Sequence, residues 1–357
     1  MNCLIVASME PYAGKTGVVA SLLVEAAERG LVAGYFKTFG TMPVVVNGVA
    51  TDRDAAYLAE LTGVHPPAEA VCPVVRTRAL VESVLGGEET DLLARVSDAY
   101  KTVSAGADIV FVEGPSTLSQ GRAFGLDLKR LADLLCGRVL LVCRPGIFEI
   151  PEDILQTHDI LGDSLYGVLY NNVSESRLSA VRDAVTPYLL GQGVRVIGTL
   201  EHDSALSSVT VAEIVAELEG TVLSAEDEVG RSVESFIVGA MGQEKALRYF
   251  RRKAHKAVVT GGDRGDVQLA ALETDTRTVI CTGGMMPSSL VLARAQELGV
   301  PVVLVDMDTL SAVERMERLF GRVRVHDAEK VAKIRRMLAE SADLEDLFGA
   351  LAARKVG

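Results

Sequence analysis

The sequence predicts an α/β protein: a parallel sheet covered by helices, followed by a second, smaller α/β domain. Three observations lead there. Short apolar runs alternate with helical patterns from residue 3 to residue 198. The chain of 357 residues is 48% hydrophobic yet only 5% aromatic, with no tryptophan, which suits aliphatic strands buried beneath helices. A fresh strand–turn–helix alternation then begins at Ala257, after an acidic connector holding Glu226, Asp227 and Glu228.

The first strand, residues 3–7, feeds the turn Ser8-Met9-Glu10-Pro11-Tyr12-Ala13-Gly14-Lys15-Thr16. A helix follows with Val18, Val19, Leu22, Leu23 and Ala26 on one stripe. This reads as strand, phosphate loop, helix. Loop and helix N–H groups can surround phosphate oxygens, Lys15 can reach the outer phosphates, and the Thr16 hydroxyl can coordinate magnesium. The common pattern has glycine five residues before Gly14, where this chain has Met9.

A second strand over residues 31–36 delivers Lys37, Thr38, Gly40 and Thr41 to its carboxyl end, where open parallel sheets bind ligands. Lys37 there either opposes the charge of a transferred phosphoryl group or is an exposed lysine after a strand. Residues 51–58 read as an acidic helix start, with Asp52 or Asp54 as an N-cap or an oxygen ligand to magnesium. A helix near residues 78–104 is interrupted by Gly86-Gly87. The strand over residues 107–112 ends in Glu113-Gly114, a Walker B-like element. Its Glu113 would engage magnesium directly or through water, with Asp108 at the strand's start. Further strands are expected at 138–143, 166–170 and 194–198. The middle one ends at Asn171-Asn172, where an amide can read a nucleobase or shape a turn.

The array S-M-E-P-Y-A-G-K-T, G-Y-F-K, D-R-D-A, V-E-G-P and G-V-L-Y-N resembles dethiobiotin synthetase and the N-terminal domain of long phosphate acetyltransferases. The wider cobyrinate-amidase ATPase group is also similar. The resemblance covers residues 1–205. It implies that Gly14, Lys15 and Lys37 hold the phosphates of ATP, that Thr16, Asp54 and Glu113 surround magnesium, and that Asn171 lies at the adenine. Thr41 falls where the synthetase binds its substrate's carboxylate, and Ser116 is a second candidate acceptor contact. The departures are Ser8 where family loops begin with glycine, Thr38 where the synthetase has proline, and P-S-T-L-S after V-E-G. The nucleotide half is therefore better matched than the acceptor half, and dethiobiotin synthesis is not expected.

In the second half, strands near residues 257–260, 278–281 and 302–305 each precede a turn and a helix, predicting a small parallel sheet. The pattern resembles the DRTGG domain of long phosphate acetyltransferases over residues 215–330, although T-G-G-D-R-G-D and a separate T-G-G replace the name-giving pentapeptide. Gly262, Asp263, Arg264, Gly283 and Gly284 either offer N–H groups to a second anionic ligand or form tight turns and caps. A short strand at 322–325 and an amphipathic helix near 328–339 complete the chain. The expected domains are 1–214, 215–330 and a helical extension at 331–357. On this resemblance the chain corresponds to the two-domain front section of those enzymes without their catalytic domain, so acetyl transfer is not expected.

Composition narrows the function further. The formal charge of -12 argues against generic nucleic-acid binding. The one basic cluster, Arg248, Arg251, Arg252, Lys253, His255 and Lys256, reads as a solvated face or interface before an anion site. No membrane-length apolar run or export signal is legible, so a cytoplasmic protein is expected. The five cysteines form no C-x-x-C pair, and the scattered histidines form no metal motif. Two functions remain. One is a magnesium- and ATP-dependent hydrolase or ligase acting on a small carboxylate or carbamate. The other is a nucleotide-sensing regulator or scaffold with a protein partner or a second copy.

Overall fold

The computed structural model describes residues 2–62, 67–88, 91–145, 151–321 and 328–352. The chain divides into two compact units, residues 1–202 with 324–357, and residues 203–323.

The first unit opens with β1 (Asn2–Ser8), α1 (Lys15–Glu28) and β2 (Ala33–Lys37). A hairpin of β3 (Pro43–Val46) and β4 (Val49–Asp52) leads into α2 (Arg53–Thr62). Then come α3 (Ala68–Val71), α4 (Arg78–Leu85), α5 (Leu92–Ser104) and β5 (Ile109–Glu113). The expected break at Gly86-Gly87 separates α4 from α5. The unit continues through α6 (Leu128–Leu135), β6 (Arg138–Cys143), α7 (Glu152–Leu161) and β7 (Leu165–Val173). It reaches its far edge through α8 (Glu175–Ala180), α9 (Thr186–Gly191) and β8 (Val196–Glu201).

Six strands form one parallel sheet in the order β2-β5-β1-β6-β7-β8. The phosphate-loop strand β1 is therefore central, with the acid-terminated β5 beside it. Residues 4–7 of β1 and 109–113 of β5 are buried on both faces, as parallel strands between helix layers must be. Asp108 sits just before β5, exchanging backbone and side-chain bonds with Val32. Cys3, Cys72, Cys143 and Cys281 are buried and Cys136 is exposed, with no disulfide among the described residues.

The second unit holds β9 (Val209–Thr210), α10 (Val211–Leu218), β10 (Thr221–Ser224), β11 (Ser232–Val233) and β12 (Ser235–Val238). It continues with α11 (Gln243–Phe250), β13 (Lys256–Gly261), α12 (Gly265–Leu272) and β14 (Thr276–Thr282). Finally come α13 (Ser289–Leu298), β15 (Val302–Leu304) and α14 (Thr309–Gly321). Its sheet runs β10-β15-β14-β13-β12. The three expected strands, β13, β14 and β15, are parallel; β12 adds an unexpected fourth parallel strand at one edge, and β10 an unexpected antiparallel strand at the other.

The boundaries differ from those expected. Helix α10 lies in the second unit, although a boundary at 214 would cut it. The tail helices α15 (Ala328–Ser341) and α16 (Leu344–Ala352) belong to the first unit rather than forming a separate extension. Ser21 of α1 donates to the Val331 carbonyl at 3.3 Å, and Phe348 packs edge-on against Phe111 at 6.2 Å. The strand expected at 322–325 lies outside the described residues.

Candidate functional site

Gly14 takes φ +98°, a conformation that glycine adopts without strain, and stands at the N-cap of α1. No side chain caps this helix. Its first turn therefore keeps N–H groups of the kind that bind anions, reinforced by the dipole of a 14-residue helix. A Cβ at Gly14 would stand 2.2 Å from Asn171 Nδ2, so the loop needs glycine for space as well.

Lys15 is buried and donates to Ser8 Oγ at 3.0 Å and Ser116 Oγ at 2.8 Å. Burial lowers its pKa to about 8, with Lys37 pushing the same way and Glu113 and Asp54 opposing. Ser8 also donates to Glu10 O at 2.7 Å, an internal tether in place of the usual glycine. The Ser116 N–H donates to Gln120 Oε1, bracing the turn after β5.

Lys37 and Glu113 pair in register across β2 and β5, which brings their side chains to the same carboxyl edge. The Lys37 ammonium contacts Asp52 Oδ1 at 2.8 Å, Asp54 Oδ2 at 3.1 Å and Glu113 Oε1 at 3.4 Å. Burial alone would lower its pKa, but Glu113, Asp54 and Asp52 outweigh it and hold Lys37 protonated. Glu113 Oε1 also accepts from Thr16 Oγ1 at 2.9 Å, and Oε2 accepts from the Tyr35 hydroxyl at 3.0 Å.

Asp52 does more than cap α2. It accepts from Asp54 N at 3.0 Å and from both Thr41 N and Met42 N at 2.9 Å, while holding Lys37. It reaches this place because the β3–β4 hairpin turns at Asn47-Gly48, both at positive φ, and ends in Asp52. The Asn-Gly pair between Val44-Val45-Val46 and Val49-Ala50-Thr51 is a two-residue hairpin signal that no expectation above used.

The structure thus gathers Lys15, Thr16, Lys37, Asp54 and Glu113 at one site, with Asp52 and Ser116. Asn171 joins them from β7, donating to the Ala13 carbonyl at 2.8 Å and so bracing the phosphate loop. Thr41 meets this cluster through its backbone N–H. Tyr35 and the support from Asn171 were not foreseen, because they join segments distant in sequence; Gln120, four residues from Ser116, is a local contact that carried no motif.

Among the described residues no three His, Cys, Asp or Glu side chains form a ready metal cage. Magnesium typically takes one or two carboxylates together with phosphate oxygens and water. Thr16, Glu113 and Asp54 fit such a partial set. Two lysines face three carboxylates here, leaving an excess of negative charge that suits a divalent cation beside bound phosphate.

Of the two readings of the second unit's glycine turns, anion contacts or tight turns and caps, the hydrogen bonds favour tight turns. Gly262 N–H donates to Thr282 O at 3.1 Å, Gly283 N–H to Met307 O at 2.9 Å, and Gly284 N–H to Val305 O at 3.0 Å. Arg264 Nε reaches Asp266 at 3.3 Å, and its NH2 group donates to Met241 O at 3.1 Å. Asp263 is exposed beside them. The glycines serve tight packing instead: a Cβ at Gly262 would meet Met285 O at 1.7 Å. The basic cluster is also split. Arg248, Arg251, Arg252 and Lys253 are exposed, whereas His255 sits between Glu234 and Asp275 and Lys256 is buried on Thr274 and Asp275 O. No helix among the described residues is long and apolar enough to cross a membrane.

Comparison with known proteins agrees with this division. Residues 2–210 match the AAA domain family, and residues 213–319 match the DRTGG domain. A phosphate acetyltransferase of Pseudomonas aeruginosa is 24% identical over 358 aligned positions, covering 93% of this chain and 49% of that protein. One from Synechocystis is also 24% identical, over 74% of this chain and 40% of its own length. The chain thus spans less than half the length of these relatives. Among solved structures, the CBS and DRTGG domains of the regulatory region of a Clostridium perfringens pyrophosphatase, complexed with its activator diadenosine tetraphosphate, align over 41% of this chain and 74% of theirs. The identity is 18% and the TM-score 0.29.

Proposed function

The chain belongs to the AAA domain family over residues 2–210 and carries a DRTGG domain behind it; from that premise we propose a magnesium- and ATP-dependent phosphoryl-transfer protein. It acts as an ATPase, or as a ligase that activates a small carboxylate or carbamate. The supporting observation is that Lys15 and Thr16 of α1, Lys37 of β2, Asp54 of α2 and Glu113 of β5 converge on one site.

In this reading the first turn of α1 and Lys15 bind the outer phosphates of ATP. Lys15 leaves its two serine hydroxyls for phosphate oxygens, a stronger charge-assisted partner. Lys37, held protonated by its carboxylates, presents fixed positive charge as the γ-phosphoryl group moves. Thr16, Asp54 and Glu113 would hold magnesium, which would supply positive charge against the phosphate oxygens. Asn171 supports the loop and is the candidate contact for the base. Ser116, next to Lys15, and Thr41 are the candidate acceptor contacts.

The test is ATP binding and hydrolysis by the purified chain, with and without small carboxylates. Turnover that Lys15→Ala reduces by about a hundredfold or more is expected, since preorganised charge at a transferred group commonly contributes that much. Neither binding nor turnover under any of these conditions would overturn the proposal. The DRTGG match favours a second reading, a nucleotide sensor that regulates a partner or its own assembly. Tight nucleotide binding without turnover, together with a nucleotide-dependent change in oligomeric state or partner capture, would select it.

A further inference from the structure

Glu113 shows two different edges to its surroundings. Oε1 accepts from Thr16 at 2.9 Å and from Lys37 at 3.4 Å, while Oε2 accepts from the Tyr35 hydroxyl at 3.0 Å. Tyr35 lies two residues before Lys37 in β2, so both side chains leave the same face of the sheet. The pairing of Tyr35 with Phe111 and of Lys37 with Glu113 places the phenol along β5, below the carboxylate. Tyr35 is 5% exposed, so water has little access to compete for its hydroxyl.

A glutamate without that tether could turn both oxygens onto Lys37, which already holds Asp52 and Asp54. We infer that Tyr35 is a positioning residue: it fixes Oε2 of Glu113 and so keeps Oε1 turned toward Thr16, where a divalent cation accompanying the nucleotide would be held. This rests on reading the Lys15–Thr16 loop as a nucleotide–magnesium site. Hydrogen-bond partners of metal-bound carboxylates commonly change metal affinity by about 10–100-fold when removed.

The experiment uses the full chain and a fluorescent ADP analogue, titrated in EDTA and then against rising magnesium. Tyr35→Phe is expected to leave the metal-free affinity within about twofold and to raise the magnesium midpoint about tenfold. In a Glu113→Gln background the same substitution is expected to add no further shift. An unchanged midpoint overturns the inference. So does an equal loss of affinity with and without magnesium, or a shift that persists in the Glu113→Gln background. Folding is checked by circular dichroism. If Tyr35→Phe does not fold, Tyr35→His retains an N–H donor: a midpoint near that of the unmodified chain supports the inference, and a raised one overturns it. Absence of any nucleotide binding by the unmodified chain sinks the underlying nucleotide reading, a result distinct from failure of Tyr35 alone.

Discussion

Lys15 carries the pH dependence of the site. Its pKa of about 8 lies below the ordinary lysine value, chiefly because burial penalises the ammonium. A lysine lowered in the folded state weakens folding below pH 8, and its contribution improves as pH rises from about 8 toward 10.5. Bound phosphate reverses the preference, since it favours the charged form. Nucleotide binding therefore takes up a proton above pH 8, and affinity is expected to fall about tenfold between pH 7 and 9. Calorimetric titrations of ADP at both pH values, in buffers of different ionisation enthalpy, check this; an affinity constant across that range would contradict it.

At the scale of the element, the loop between β1 and α1 depends on a left-handed glycine pressed against β7. Gly14→Ala adds a Cβ 2.2 Å from the Asn171 amide at a φ of +98°, so either the amide or the loop must yield. A loss of about 1–3 kcal/mol is expected in urea unfolding, with weakened nucleotide binding. Unchanged stability would mean that the loop tolerates the side chain. Gly14-Lys15-Thr16 and the acid-ended β5 were legible in the sequence because each is local: an apolar run, a turn and a polar residue at fixed spacing. Asp52's service to both Lys37 and the Thr41 turn was less legible: residues 51–58 read as an acidic helix start, where α2 does begin, but that reading says nothing of the hairpin that ends in Asp52. Tyr35 gave no local signal at all, since its partner lies on a neighbouring strand 78 residues away. The glycine turns of the second unit were read from their position after successive strands, which does not reveal whether an N–H already has a carbonyl partner.

At the scale of the whole molecule, the first unit is assembled from two separated stretches of chain. Val331, Ile334, Leu338, Leu344, Leu347, Phe348 and Leu351 of the tail are all buried. At about 1.5–3 kcal/mol for each buried large side chain, their removal is as large as the margin of about 5–15 kcal/mol that ordinarily keeps a domain folded. A chain truncated after residue 323 is expected to lose the cooperative unfolding transition and nucleotide binding of the first unit, measured by calorimetry. Retention of both would show that the tail is dispensable. The amphipathic pattern of α15 was visible in the sequence, but its seat against α1 was not, because helix periodicity identifies an apolar face without identifying what covers it. The order of the chain also sets an order in time. As the polypeptide leaves the ribosome, residues 203–323 emerge before α15 and α16, an interval of roughly ten seconds at ordinary elongation rates. Throughout that interval the helix behind the phosphate loop is uncovered, so the nascent first unit is exposed to chaperones while the second has all the sequence it needs to fold.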